Sequence, residues 1–180
     1  MKNRLVFGFL LFLISCTTYE LSAQIVAQPV TWISKIVTFE KNIHEIQLVG
    51  TFDEECREWH IYDLGPYEDG LTPTSLTIET IAGVKLIGKP YLLTKVTKTF
   101  DERFGMEIGI CENRVVVVQK VKVTSVDSVA FIAVIKWQAC DYHSCLSPIL
   151  KEFVIKLPGN HNHASISTKP DVPKQALFTN

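Results

Sequence analysis

Polar and hydrophobic residues alternate along much of the chain after residue 30. In residues 114–123, for example, Val115, Val117 and Val121 share one face of an extended chain, and Lys120 and Lys122 share the other. A period of two is typical of a strand in a sheet with one buried face. No helical stripe competes with it, and Val, Ile, Thr and aromatic residues are concentrated in the same runs. The pattern predicts about seven strands, at residues 31–39, 43–52, 76–81, 91–97, 114–123, 129–139 and 153–157.

Turn-forming residues separate the predicted strands. Glu, Lys and Asn occupy residues 40–42, an acidic stretch with Pro66 covers residues 63–70, and Gly83 and Gly88 interrupt the run that follows. Short strands with such turns and no intervening helices are typical of an antiparallel two-sheet sandwich. We therefore predict an all-β fold, an immunoglobulin-like antiparallel β-sandwich.

The first residues resemble an export signal. Lys2 and Arg4 precede an uninterrupted apolar run at residues 5–14, which is shorter than the roughly 20 residues that cross a bilayer. Two cleavage sites remain open. Leu-Ile-Ser before Cys16 resembles a lipobox and would make Cys16 a lipidated N-terminus, whereas Leu-Ser-Ala ending at Ala23 suits ordinary signal peptidase. Both predict an exported, periplasmic protein whose only expected membrane contact is that lipid anchor.

The rest of the chain divides into one domain and a tail. We predict an export signal at residues 1–23, or at 1–15 if the lipobox is used, followed by the sandwich domain at residues 24–157. Residues 158–180 carry several Pro, Asn, Ser and Lys and are predicted to form a flexible tail. With 18 Lys and Arg against 19 Asp and Glu, the chain has no excess positive charge. We therefore expect no nucleic-acid partner.

Five cysteines are present, and export places them where disulfides persist. If Cys16 belongs to the signal or carries the lipid, four remain, and these allow three pairings. Cys140 and Cys145 form the one pair that is close in sequence, in the segment WQACDYHSCLSP. A bridge between them would close a small ring and stabilise the fold by only about 2 kcal/mol, which favours a redox role over a structural one.

Other candidate residues have competing interpretations. His143, within the cysteine loop, would stabilise a thiolate when protonated, but we favour a solvated loop histidine. Cys56 and Cys111 form a structural disulfide or are two separate buried thiols. A zinc site at the cysteine pair and His143 lacks a second ligand cluster, and His161 with His163 lacks a preorganised set of ligands. We therefore expect no metal site and no other cofactor.

Four further segments accompany the cysteine loop. Residues 29–32 (PVTW), 58–62 (EWHIY), 71–75 (LTPTS) and 100–107 (FDERFGME) resemble, in this order, motifs of the N-terminal periplasmic domain of DsbD-type thiol:disulfide interchange proteins. WQACDYHSCLSP resembles their Gln-Ala-Cys … Cys-Leu-Pro-Pro segment. The resemblance covers about residues 29–157 and implies an immunoglobulin-like sandwich with a cap loop over the cysteine pair.

The resemblance also implies roles for individual residues. Cys145 would be the interchange cysteine that forms mixed disulfides with partners, and Cys140 the resolving cysteine. The cap would contain Phe104, whose ring shields the disulfide. Asp101 and Glu102 would also belong to the cap, where their carboxylates either raise a thiol pKa or occupy a solvated turn. Two further positions would line the redox site, His60 and Tyr62.

The chain also departs from the family pattern. Arg103 stands where a second cap aromatic can occur, Ser147 replaces the first Pro of the Cys-Leu-Pro-Pro motif, and the family's multi-span and thioredoxin-like domains have no counterpart in these 180 residues. We therefore predict a stand-alone component of a protein-disulfide reductase. A separate membrane protein would donate its electrons, and thioredoxin-like thiol proteins, such as an isomerase or a cytochrome-maturation thioredoxin, would be its partners. The alternative is an exported or lipid-anchored immunoglobulin-like binding module with an inert structural disulfide.

Overall fold

The computed structural model describes residues 28–67, 70–79 and 81–160. Within these ranges the chain forms one short 3-10 helix at Glu54–Cys56, and no helix there has the length and apolarity needed to span a membrane. The predicted export signal with Cys16, and the predicted tail from residue 161 onward, lie outside the described residues. The described strands are β1 (Val30–Glu40), β2 (Ile43–Phe52), β3 (His60–Tyr62), β4 (Ser75–Ile78), β5 (Val84–Leu92), β6 (Thr97–Asp101), β7 (Met106–Cys111), β8 (Arg114–Val123), β9 (Val129–Trp137), β10 (Ala139–Cys140) and β11 (Ile149–Leu157).

The strands pair antiparallel in three sheets, with the orders β1-β2-β8-β5, β10-β3-β7-β6 and β11-β9-β4. Buried residues from all three sheets meet in one hydrophobic core. Trp32 of β1 contacts Trp137 of β9 within this core, with ring centroids 5.5 Å apart. The chain passes directly from β9 in the third sheet to β10 in the second, with Gln138 between them. The predicted all-β, immunoglobulin-like antiparallel sandwich is confirmed.

Burial along the strands follows the predicted alternation in β9 but not in β8. Every second residue of β9, from Val129 to Trp137, is buried. In β8, Val116 and Val118 are buried as well as their neighbours, because they form a second apolar cluster with Val49 on the outer face of the first sheet. The outer face of this central strand is therefore covered, which the alternation of Val and Lys alone did not indicate.

The predicted strand at residues 91–97 is wrong. Residues 84–92 form β5 instead, and residues 93–96 connect it to β6. Gly88, expected in a turn, has φ 67° and lies where the register between β5 and β8 shifts. Gln119 Nε2 donates hydrogen bonds to the carbonyl oxygens of Ile87 and Gly88. Glycine at a positive φ thus produces a bulge that the strand continues through rather than a turn that ends it.

The second sheet consists of four short strands that the hydrophobic pattern did not predict as separate elements. It contains β10, which carries Cys140, and the β6–β7 hairpin, residues 97–111, which we call the cap. Gly105, with φ 64°, lies in the turn of the cap, and its N–H donates to the carbonyl oxygen of Asp101. The segment expected to be a cap loop is therefore a β-hairpin, paired through β7 to the strand beside the cysteine.

Candidate redox site

Cys140 and Cys145 are joined by a disulfide, with an S–S distance of 2.06 Å. Cys140 ends β10 and is fully buried, whereas Cys145 lies in the following loop and is exposed. Because β10 pairs with β3, Cys140 lies opposite His60 in the second sheet. One cysteine of the bridge is therefore accessible to another protein, and the other is held inside the domain.

Asp141 shapes the loop between the two cysteines. Its Oδ1 accepts hydrogen bonds from the backbone N–H groups of His143 and Ser144 and from the Ser144 hydroxyl. The Ser144 and His143 N–H groups hold the pKa of Asp141 below its ordinary value. An Asp side chain that bonds to its own backbone two and three residues ahead forms a tight turn. This turn returns the chain so that Cys145 faces Cys140.

The Tyr62 hydroxyl contacts both sulfurs. It donates to Cys140 Sγ at 3.1 Å and lies 3.8 Å from Cys145 Sγ. Tyr62 is fully buried, and this burial raises its pKa; Arg103 nearby opposes the shift and Asp101 adds to it. The hydroxyl therefore stays protonated at neutral pH and is available as a donor to sulfur.

The two predicted histidines occupy different surroundings. The His60 ring packs edge-on against Tyr62, with centroids 5.6 Å apart. Burial and then the nearby Arg103 lower its pKa, which favours the neutral imidazole. His143 is exposed, and its described contact is the backbone N–H that it donates to Asp141. The structure thus places His60 beside the site and His143 on the solvated loop.

The cap covers the buried side of the disulfide. Phe104 is half-buried and packs edge-on against Tyr62, with ring centroids 6.4 Å apart. Both rings belong to the small apolar cluster that contains Cys140. Phe100, also on the cap, is 64% exposed and does not belong to this cluster. Phe104 is therefore the cap aromatic that packs against the cluster around Cys140.

Two of the charged residues of the cap, Asp101 and Arg103, contact each other. Asp101 Oδ1 accepts the backbone N–H of Arg103 at 2.8 Å, and its Oδ2 lies 3.4 Å from Arg103 Nη2. Arg103 Nη1 in turn lies 3.9 Å from Cys145 Sγ. Glu102 is exposed. Asp101 thus faces a cation, and this cation faces the exposed sulfur.

Gln138, the first residue of the Gln-Ala-Cys match, has a structural contact that the sequence did not indicate. Its Oε1 accepts the backbone N–H of Thr72, and its Nε2 donates to the carbonyl oxygen of Leu146. The N–H of Leu146 also donates to the carbonyl oxygen of Ala139. Gln138 therefore holds the chain immediately after Cys145 against a neighbouring segment. A glutamine next to a strand has no distinctive pattern until the strand order is known.

A second polar cluster attaches the cap to the domain. Tyr67 donates its hydroxyl hydrogen to Asp63 and accepts the backbone N–H of Gly109. Lys98 forms an ion pair with Asp63 at 3.1 Å. Burial, and then the hydrogen bond to Asp63, raises the pKa of Tyr67 to about 12. Asp63 therefore contacts both strands of the cap, β6 through Lys98 and β7 through its own backbone N–H to the carbonyl oxygen of Gly109.

Of the two interpretations of Cys56 and Cys111, the structural disulfide is wrong: both are free thiols. Cys111 is fully buried at the end of β7, opposite Ile61 of β3, whereas Cys56 is partly exposed in the 3-10 helix. Burial, followed by nearby carboxylates, raises the pKa of Cys111 to about 11 and also raises that of Cys56. Neither thiol has the low pKa of a reactive cysteine.

The described residues contain no group of three or more His, Cys, Asp and Glu side chains arranged to hold a metal ion. At the zinc site considered from the sequence, the two sulfurs are bonded to each other. His161 and His163 lie outside the described ranges.

Among solved structures, the fold is similar to the reduced form of the DsbD N-terminal domain from Neisseria meningitidis, with 14% identity and a TM-score of 0.48, covering 71% of this chain and 86% of that chain. It is also similar to the complex between the DsbD and PilB N-terminal domains of the same organism, with 11% identity and a TM-score of 0.48, covering 73% and 87%. A collagen-binding domain from a Staphylococcus aureus adhesin has 8% identity and a TM-score of 0.37, covering 74% and 99%. No protein-family model matches the chain, and no curated protein matches it. Any functional conclusion therefore depends on the geometry of the site and on the sequence motifs.

Proposed function

We propose that the domain exchanges electrons with thioredoxin-like thiol proteins through a reversible Cys140–Cys145 disulfide. The observation that carries this proposal is the asymmetry of the bridge: Cys145 is exposed, and Cys140 is buried beneath Tyr62 and Phe104. The two cysteines are five positions apart, so the bridge adds little to stability through chain entropy. A short bridge with one exposed sulfur and a hydroxyl donor at the other suits exchange better than reinforcement.

The exchange proceeds through a mixed disulfide. A partner's thiolate attacks Cys145 Sγ, the bond to Cys140 breaks, and Cys140 leaves as a thiolate beside the Tyr62 hydroxyl. The partner's second thiolate then attacks the partner's own sulfur and releases Cys145 as a thiolate. The partner is oxidised to a disulfide, and the domain gains two electrons and, as its thiolates protonate, two protons. The reverse sequence passes these electrons to an oxidised client.

The surface beside Cys145 has room for a partner. A groove of about 480 Å³ lies between the cap and the cysteine loop, and Arg103, which contacts Cys145 Sγ, lines it. Tyr142, 77% exposed, and Phe100 lie on its two sides. Exposed aromatic rings around a reactive sulfur supply the apolar contact area that protein interfaces use. The assignment of a thioredoxin-like class to the partner depends on the sequence resemblance.

The trapping experiment uses a Cys140→Ser variant and a thioredoxin whose second active-site cysteine is replaced by serine. The thioredoxin's remaining thiol is activated as an aromatic mixed disulfide, so that Cys145 can displace the leaving group. We expect a covalent adduct that disappears with dithiothreitol. The matched Cys145→Ser variant retains the buried Cys140 together with the free thiols Cys56 and Cys111, whose raised pKa values make them poor nucleophiles near neutral pH, and it should form none. Absence of an adduct with Cys140→Ser, or equal adducts with both variants, would count against the proposal.

The reduction potential separates this proposal from an inert bridge in a binding module. Equilibration of the wild-type protein with glutathione buffers, followed by alkylation and mass spectrometry, measures it directly. We expect a potential above about −300 mV, since structural disulfides in secreted proteins lie below that value. A lower value would favour the immunoglobulin-like binding module, which has no need to exchange electrons.

We also propose that the exchange takes place outside the cytoplasm, with electrons supplied by a separate membrane protein. Support comes from the signal-like N-terminal run and from the oxidising conditions that an exchanging disulfide needs. Mass spectrometry of the protein purified from a cell envelope would show either lipid on Cys16 or an N-terminus after Ala23. A mature protein that retains residues 1–23 would refute export.

A further inference from the structure

We infer that Arg103 selects Cys145 as the sulfur that carries negative charge when the pair is reduced. This inference concerns the same site and rests on the proposed function. Arg103 Nη1 lies 3.9 Å from Cys145 Sγ, within contact distance of the reacting atom. In the oxidised protein that sulfur is neutral, so the contact is weak; in the reduced protein the same contact joins a guanidinium to a thiolate.

The guanidinium is held in place by its own cap turn. Asp101 accepts the Arg103 backbone N–H through Oδ1 and lies 3.4 Å from Nη2 through Oδ2. The Asp101 side chain is 9% exposed and that of Arg103 41% exposed. A nearly buried carboxylate therefore fixes one edge of the guanidinium while the other edge points at Cys145. Asp101 is a positioning residue, and Arg103 is the group that touches the reacting sulfur.

Each sulfur thus has its own donor. The Tyr62 hydroxyl bonds to Cys140 Sγ at 3.1 Å and is farther from Cys145 Sγ, at 3.8 Å. The Arg103 guanidinium contacts Cys145 Sγ at 3.9 Å. A neutral hydroxyl in a buried site stabilises a thiolate less than a guanidinium does. The charge therefore favours Cys145, which is also the exposed sulfur that a partner can reach.

Other titratable and charged groups also surround the two sulfurs. The carboxylates among them destabilise a nearby thiolate, so they reduce the effect of Arg103 on Cys145. The titratable and charged groups around the site are Lys98, Asp101 and Glu102 on the cap, Glu112 after β7, His60 and Tyr62 on β3, and Asp141, Tyr142 and His143 in the cysteine loop.

The test measures the alkylation of Cys145 in the reduced protein by iodoacetamide across about pH 5 to 10, with the modified residue located by mass spectrometry. Arg103→Gln removes the charge from Cys145, and Lys98→Gln is the matched control, because Lys98 is a cap cation paired with Asp63 instead. We expect the midpoint of the pH–rate profile to move to higher pH in Arg103→Gln. The alkylation rate of Cys145 near pH 7 should fall by about threefold. The fraction of Cys145 present as thiolate falls by more than this, but a thiolate of higher pKa is also a stronger nucleophile, which offsets part of the loss.

Arg103→Lys should restore part of the shift, because it returns the charge without the planar fork. Asp101→Asn keeps both backbone geometry and Arg103 but loosens the guanidinium, and it should shift the profile less than Arg103→Gln does. The inference is overturned if Arg103→Gln and Lys98→Gln have the same profile as the wild type. Alkylation needs no partner, so failure of the trapping experiment with an intact Arg103 effect would refute the proposed function and leave this inference standing.

Discussion

Replacing Tyr62 with Phe should slow the reduction of the Cys140–Cys145 disulfide. The Tyr62 hydroxyl donates to Cys140 Sγ at 3.1 Å, and Cys140 is the sulfur that leaves as a thiolate when Cys145 is attacked. The bond therefore gains strength as the reaction proceeds. A hydrogen bond to a charged group contributes about 1 kcal/mol more than one to a neutral group. Because about 1.4 kcal/mol is tenfold in rate, losing the hydroxyl should slow the step about fivefold.

The assay follows oxidised wild-type and Tyr62→Phe proteins after mixing with excess dithiothreitol, with timed acid quenching, alkylation and mass spectrometry. The raised pKa of Tyr62, caused by burial, keeps the hydroxyl protonated throughout the assay near neutral pH. Thermal unfolding of both oxidised proteins shows whether packing has survived, since Phe retains the buried ring.

Tyr67→Phe is the matched control for this prediction. The Tyr67 ring also packs edge-on against Tyr62, with centroids 6.4 Å apart, but its hydroxyl bonds to Asp63 and Gly109 rather than to a sulfur. This variant should lower the free energy of unfolding by about 1–3 kcal/mol and leave the reduction rate unchanged. A wild-type rate in Tyr62→Phe, or equal slowing in both variants, would refute the assigned role of the hydroxyl.

Three further variants test the residues that pack around the disulfide and hold the cap and the cysteine loop in place. Phe104→Ala should let glutathione reduce the bridge faster, measured by timed alkylation, because the ring that screens the buried sulfur is removed; its half-burial makes the stability cost only about 1–2 kcal/mol. Gln138→Ala should lower the free energy of unfolding in urea by about 1–3 kcal/mol, because the carbonyl of Leu146 loses its side-chain donor. Gly109→Ala should cost about 1–3 kcal/mol and make the cap more sensitive to proteolysis, because an added Cβ collides with the Asp63 carboxylate. A wild-type urea midpoint in either of the last two would contradict the structural role assigned to that residue.

The fold was predictable where a strand has a uniform pattern. Residues 43–52 and 114–123 were predicted with the bounds that the structure has, because β-branched residues fill them and turn residues flank them. The pattern failed for β5, where Gly88 makes a bulge that sequence cannot distinguish from a turn. It also failed for β3, β6 and β7, because these strands are only 3, 5 and 6 residues long and depend on pairing with one another.

The site was predictable where a residue has a characteristic neighbour in sequence. The cysteine loop and the positions of His60, Tyr62 and Phe104 followed from ordered motifs, and the structure brings all of them to one end of the second sheet. The role of Arg103 did not follow, because an arginine in a turn indicates nothing until its neighbour in space is known. The interpretation of Cys56 and Cys111 as a disulfide was wrong for the same reason: an even count of cysteines carries no information on which side chains face the core.

The direction of the chemistry follows from where the two cysteines sit relative to the end of a strand. Cys140 is held in the β10–β3 ladder, and its fully buried side chain lies in the apolar cluster with Tyr62, against which Phe104 packs. Cys145 lies beyond the Asp141 turn, and its sulfur is the one that an incoming thiolate can approach. In the proposed exchange, the Tyr62 hydroxyl stabilises Cys140 as it leaves in the first step, and the Arg103 guanidinium stabilises Cys145 as it leaves in the last. The two donors therefore act on different steps: Tyr62→Phe should slow formation of the mixed disulfide, and Arg103→Gln should slow its resolution.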